Sequence, residues 1–262
     1  MMQLPAGTYY PGESFLHRLD PRAKLLCLMA LVTALVLTDT LPGYGLSLVA
    51  VTILTIASGL PASVALGSLG RLGWFFLTIF LMNALFYGGG EPYFQWWIIQ
   101  PSLSGILQGL QVVARVGMIL VIGNVLMAVT RPMDTTKALN WLFSPLGRIG
   151  IPVEEAAMII SVAIQFLPTL MEETDTIQKA QTARGARFES KRLTQRAASL
   201  LPMIVPVFLS AFKRADELSM AMEARGYRDA RHRTRYAAAR LQLRDYGAVG
   251  VCIGLCILQA IR

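Results

Sequence analysis

The sequence predicts an all-α fold: a polytopic helical membrane protein of about five transmembrane helices, with a basic cytoplasmic domain built on two long helices. Three observations predict it. Hydrophobic residues make up 54% of the chain and charged residues 15%, against about 25% charged in an average soluble protein. Basic residues are confined. None lies between Lys24 and Arg71, or between Arg71 and Arg115, whereas residues 131–244 hold 18 Lys and Arg against 11 Asp and Glu, a net of +7. Within that basic region Ala-Arg-Gly occurs twice, as Ala183-Arg184-Gly185 and Ala224-Arg225-Gly226, with the arginines 41 residues apart.

The N-terminal stretch holds His17, Arg18, Asp20, Arg22 and Lys24, with no apolar run before them, so no cleavable signal peptide is expected. Tyr9 to Ser14 reads as a turn, and the polar block after it as a headgroup-level anchor. Asp20 before Pro21 is a good helix start, because Asp caps the free N–H groups and proline fits the first turn. The first span continues through Leu25–Leu37. Thr38 to Gly43 reads as a turn, and the second span runs from about Gly45 to Leu60. Pro61 to Arg71 is a short connection before a third span over Leu72–Tyr87. Gly88-Gly89-Gly90-Glu91-Pro92 opens a loop in which Trp96 and Trp97 read as interfacial aromatics. The fourth span covers about Gly105 to Thr130, where Gly105 and Gly109 permit close helix contact. Arg131 to Pro152 reads as short and irregular, broken by Pro132, Pro145, Gly147, Gly150 and Pro152. Tyr246 to Ile261 is the fifth span. Cys27, Cys252 and Cys256 all fall in apolar runs and read as small packing residues.

Charge sets the expected orientation. With the N-terminus cytoplasmic, the inner segments are 1–24, the connection at Arg71, and 131–244. Together they hold 22 of the 24 Lys and Arg, while the outer loops carry only Asp39 and Glu91. That is the positive-inside pattern. The organisation is then 1–130 with four spans, 131–244 cytoplasmic, and 245–262 as the last span.

Each Ala-Arg-Gly follows a 16-residue apolar run, Ala156–Met171 and Ala197–Phe212, and then a charged, helix-favouring segment. If both runs crossed the bilayer, the segment with Lys179, Arg184, Arg187, Lys191, Arg192 and Arg196 would lie outside, the wrong charge for it. Each run is also shorter than the roughly 17–25 residues of a usual span. They are expected as long helices at or below the inner surface. Glycine after a helix is a usual C-terminal cap, and arginine there favours the negative end of the helix dipole. That explains each motif singly. Their repetition points further, to two exposed tips whose guanidinium forks suit carboxylates.

Several chemistries lack their residues. No G-x-x-x-x-G-K-[ST] occurs to hold ATP phosphates, and no His/Cys set has zinc spacing. No acidic residue sits within a span, which argues against a proton relay. Arg115, near the middle of the fourth span, reads either as a contact in a substrate path or as a structural tie to Asn83, Asn124 or backbone carbonyls. Residues alone favour the tie, since no acidic partner is evident.

Taken together, the chain resembles the transmembrane coupling subunit, or T component, of energy-coupling factor (ECF) importers, the EcfT/CbiQ-like family. The matching features are His17-Arg18-Leu19-Asp20-Pro21-Arg22, Arg115, and Phe166-Leu167-Pro168 with Ala180-Gln181-x-Ala183-Arg184-Gly185. In the second motif helix they are Arg214-Ala215-Asp216-Glu217-Leu218 and Ala221-Met222-Glu223-Ala224-Arg225-Gly226-Tyr227, followed by Arg233-Thr234-Arg235-Tyr236. One departure is Gln165, where the family often has Arg. The resemblance implies a non-catalytic cytoplasmic coupling domain. In it Ala183, Arg184, Gly185, Ala224, Arg225 and Gly226 bind two ABC-type ATPases, while Arg115, Pro168, Asp20 and Arg22 serve structure or coupling.

It further implies that ATP and Mg are held by those partners, so that this chain binds no cofactor, metal or nucleic acid. A separate membrane protein, the S component, binds the vitamin or metal ion, and the assembly sits in the cell membrane of a prokaryote. Two other classes would leave different residues. A conventional ABC importer permease forming its own substrate path would show a single coupling loop, often with a Glu-Ala-Ala-type motif. A membrane-embedded enzyme would need an acid/base or metal constellation, which the sequence lacks.

Overall fold

The structure is a computed structural model, and it describes residues 9–87, 102–186, 188, 193–228 and 241–261, with the side chains of 193–199 outside that set. The glycine loop at Gly88, the aromatics Trp96 and Trp97, the cations Arg187, Lys191 and Arg192, and Arg233 to Tyr236 fall outside the described residues. The described chain is helical: α1 Pro21–Leu37, α2 Leu41–Ser58, α3 Ala62–Ala65, α4 Gly67–Arg71, α5 Gly73–Phe86, α6 Leu103–Val129, α7 Pro132–Phe143, α8 Val153–Ala183, α9 Leu193–Ala224 and α10 Leu243–Ala260. It forms two compact units, Met1–Leu139 with Ala238–Arg262, and Asn140–Ala237.

Helix starts follow the local chemistry. The Asp20 carboxylate accepts the Arg22 N–H at 2.9 Å and so caps α1, and Ser102 does the same for α6 through Gly105 N–H at 3.1 Å. Two stretches differ from expectation for one reason. α2 begins at Leu41, inside the expected turn, with Pro42 in its first turn. Residues 132–143, expected to be irregular, form α7 with Pro132 at its head. Proline breaks a helix interior but is preorganised for the first turn. The Pro61–Arg71 connection also coils, into α3 and α4.

Contacts within the first unit fix the helix directions. Lys24 Nζ donates to the Val129 carbonyl at 3.2 Å, while Arg115 meets the far end of α1 at Thr38. α1 and α6 therefore run antiparallel. Gly105 and Gly109 lie against the Asn83 and Phe80 carbonyls, which makes α5 antiparallel to α6. Gln259, near the end of α10, donates to Ser47 Oγ at 2.6 Å near the start of α2. Asp245, near the start of α10, holds the start of α1. The series α1, α2, α5, α6, α10 thus alternates in direction, as consecutive spans must. Its core is Leu31, Leu35, Val51, Val121, Ile122 and Val125, with Cys27 and Cys252 buried among them.

Among the described residues, four helices are long and apolar enough to cross a membrane: α2, α6, α8 and α10. Of the five expected spans, α1 with 17 residues and α5 with 14 are shorter. α8, expected at the inner surface, qualifies because its 31 residues include the whole Ala156–Met171 run.

Candidate functional site: two arginine-tipped helices and a buried arginine

The second unit is dominated by α8 and α9, and both Ala-Arg-Gly motifs close their helices in the same way. At the end of α8, Arg184 N–H reaches the Ala180 and Gln181 carbonyls. Gly185 N–H bonds Thr182 O at 3.0 Å, and Ala186 N–H bonds Gln181 O at 3.0 Å. At the end of α9, Arg225 N–H reaches Ala221 and Met222. Gly226 N–H bonds Glu223 O at 2.9 Å, and Tyr227 N–H bonds Met222 O at 3.0 Å. This pair of crossed bonds is a Schellman cap, which needs a left-handed residue at its turn. Gly185 has φ +92° and Gly226 φ +73°. A Cβ at either glycine would meet open space, so conformation rather than crowding demands glycine there.

The cap has a consequence for the side chains. Ala183, Arg184 and Gly185 are exposed, as are Ala224, Arg225 and Gly226. The small residues on either side leave each arginine exposed at its helix end. No hydrogen bond or ion pair to another described residue engages either one. Arg214 behaves differently: its Nη2 pairs with Glu173 Oε2 at 3.1 Å, across 41 residues, tying α9 to α8. Pro168 sits exposed inside α8; inside α9, Pro202 is exposed and Pro206 half-buried. Each removes a helix hydrogen bond.

In the first unit Arg115 is tied to the α1–α2 turn. Its Nη2 lies within hydrogen-bond distance of the Thr38 carbonyl, Tyr44 Oη at 2.6 Å and Asp39 Oδ1 at 3.2 Å. The Tyr44 ring also lies 5.6 Å from the guanidinium carbon. The backbone-carbonyl part of the expected tie holds. The two asparagines are engaged elsewhere: Asn124 with Ser68 Oγ at 2.6 Å, and Asn83 with its own helix at Ile79 O. An acidic partner does exist, Asp39. It escaped sequence reasoning because it lies 76 residues away and outside the span.

Asp20 and Arg22 sit at the head of α1, where the sequence placed them, but the residues that lock this end were missed. Asp245 is buried; it accepts the Asp20 N–H at 2.9 Å and the Gln242 N–H at 2.7 Å. Lys24 lies against the C-terminal carbonyls of α6, the end where a cation is favoured. Tyr10 N–H bonds Ala128 O at 2.9 Å beside it. Gln242 and Asp245 at N-cap and N3 form a capping box, a spacing visible in the sequence.

A bundle of direction-alternating apolar helices, together with two long helices ending in matched exposed arginines, defines an all-α polytopic membrane protein. Comparison gives it a family. Residues 12–236 match the family model of CbiQ, "Cobalt transport protein". The chain is 41% identical over 251 residues to the energy-coupling factor transporter transmembrane protein EcfT of Brevibacillus brevis, covering 96% of this chain and 94% of that protein. It is 39% identical over 248 residues to EcfT of Thermosediminibacter oceani, covering 95% and 93%. EcfT of Bacillus subtilis is 37% identical over 258 residues, covering 97% and 95%. The chain belongs to this family, the transmembrane T components of ECF transporters.

Proposed function

We propose that this T component transmits the motion of two ABC-type ATPases to a substrate-binding S component through the α8 and α9 tips. The observation that carries this is the pair of identically capped, exposed arginines at Arg184 and Arg225, neither side chain paired with another described residue. A guanidinium exposed at a helix end enters a groove as a rigid fork for a carboxylate. Two matched tips require two similar grooves, most simply on two like ATPases. Those partners hold ATP and Mg, and this chain catalyses nothing itself. The imported vitamin or metal ion binds the S component. The N-terminus and residues 131–244 face the cytoplasm, which keeps the basic segment beyond α8 on the inner side.

The test is mass spectrometry of the gently solubilised complex. The proposal expects this chain with two ATPases and one small substrate-binding membrane protein. A periplasmic or lipid-anchored binding protein in place of the S component would favour a conventional permease. Single cysteines near Arg192 and near Gly89 should label from opposite membrane faces, and equal labelling from outside would overturn the orientation.

A further inference from the structure

The repeat is deeper than its tips. Shifting α8 by the 41 residues that separate Arg184 from Arg225 lays Ala156–Met171 on Ala197–Phe212. It also lays Glu173 on Arg214, the two residues that form the ion pair between the helices. Equivalent positions of a repeat meet each other only at the twofold axis relating the copies. Tyr227 Oη also lies 3.0 Å from Met158 Sδ, so the end of α9 lies beside the start of α8. The helices therefore run near-antiparallel past one another and pass at Glu173 and Arg214.

That position has a particular chemistry. In a strict repeat the same residue would face itself at the axis, and two like charges would repel. Here the copies differ in sign: Glu172-Glu173 in the first, Lys213-Arg214 in the second. The inner members of these pairs, Glu173 and Arg214, are part-buried and bonded, while Glu172 and Lys213 are exposed. Apolar faces are non-directional and tolerate sliding by a helical turn. One directional ion pair specifies a register. Each tip lies eleven residues beyond its member of the pair, about 16 Å at the helical rise, in opposite directions.

We propose that Glu173 and Arg214 form a central pin that fixes the register of α8 on α9, and with it the spacing of the two arginine tips. They are positioning residues for the tips, and the role in transport rests on the coupling function proposed above. A slip of one turn at the pin would shift the tip separation by about 5 Å. Two grooves set at a fixed distance could not then both be filled.

Spin labels at Thr182→Cys and Glu223→Cys, equivalent positions just before the tips, measure this spacing in the full chain in lipid nanodiscs, with Cys27, Cys252 and Cys256 replaced. The parent should give one narrow distance. Glu173→Gln and Arg214→Gln should broaden it or add a population shifted by about 5 Å, and lower uptake by the assembled transporter about fivefold. The reversed pair Glu173→Arg with Arg214→Glu should restore the narrow distance, and uptake to within about twofold. An unchanged narrow distribution in Glu173→Gln, or a reversed pair that assembles yet stays broad, overturns the pin. Glu173→Gln is isosteric and decides the matter alone if the reversed pair does not assemble. Failure of the coupling function shows separately. Arg184→Ala with Arg225→Ala would then leave ATPase co-purification intact, whatever the distances report.

Discussion

The carboxylate of Asp245 accepts the backbone N–H of Asp20 at 2.9 Å, joining the starts of α1 and α10 across 225 positions of chain. Its other oxygen takes the Gln242 N–H at 2.7 Å, so one buried side chain closes two helix starts. Because both helices begin at this point, α10 runs parallel to α1.

Asp245→Ala strands both N–H groups and should destabilise the chain by about 1–3 kcal/mol. Asp245→Asn should lose less, since its oxygen still accepts one of the two bonds. Thermal unfolding in detergent ranks the two variants below the parent, and midpoints equal to the parent's would show that the clasp contributes nothing.

Arg115 gives a graded series. Asp39 is 88% exposed, and an ion pair so open to water contributes about 0–1 kcal/mol. Asp39→Asn should therefore be nearly silent. Arg115→Ala removes the bonds to Thr38 O and Tyr44 Oη together, at about 1.5–3 kcal/mol for each bond to a charged group. It should lower thermal stability and the yield of complex. Intact yield with abolished transport would instead assign Arg115 a part in the mechanism.

Gly105 and Gly123 share α6 but differ in surroundings. A Cβ on Gly105 would stand 2.9 Å from the Asn83 carbonyl oxygen, whereas one on Gly123 meets nothing within 4 Å. Gly105→Ala must push α5 and α6 apart, at about 1–3 kcal/mol. Gly123→Ala should be neutral or slightly stabilising, because alanine loses less backbone entropy in a helix. Melting curves of the two variants check the order.

The sequence was most legible where the physics is local. Asp20-Pro21 announced the start of α1, and glycine after Arg184 and Arg225 announced two helix ends. The same local rules misled at Pro42 and Pro132, which open helices rather than break them. What stayed hidden depends on residues far apart in the chain. Asp39 meets Arg115 only because the α1–α2 turn packs on α6. Asp245 meets Asp20 only because α10 returns beside α1. Glu173 and Arg214 lie between: their shared 41-residue offset was present in the chain, but the contact that gives it meaning is tertiary.

If each tip arginine enters an ATPase groove as one half of a buried bidentate pair, its removal costs about 2–5 kcal/mol, largely by stranding the partner carboxylate. Arg184→Ala or Arg225→Ala should then weaken ATPase retention, and the double variant should lose both ATPases and uptake. Lysine should rescue poorly, because a point charge cannot reproduce the planar fork. If the arginines merely favour the helix dipole, each loss is about 0.3–1 kcal/mol and assembly is unchanged. Gly185→Ala and Gly226→Ala separate the cap from the charge. They keep both guanidiniums but force alanine into the left-handed region, at about 1–2 kcal/mol each, so they should loosen the helix ends and reduce ATPase retention only partly. Pull-down and uptake across this series decide the matter. A double arginine variant that still holds both ATPases and transports normally removes the coupling role from these two motifs.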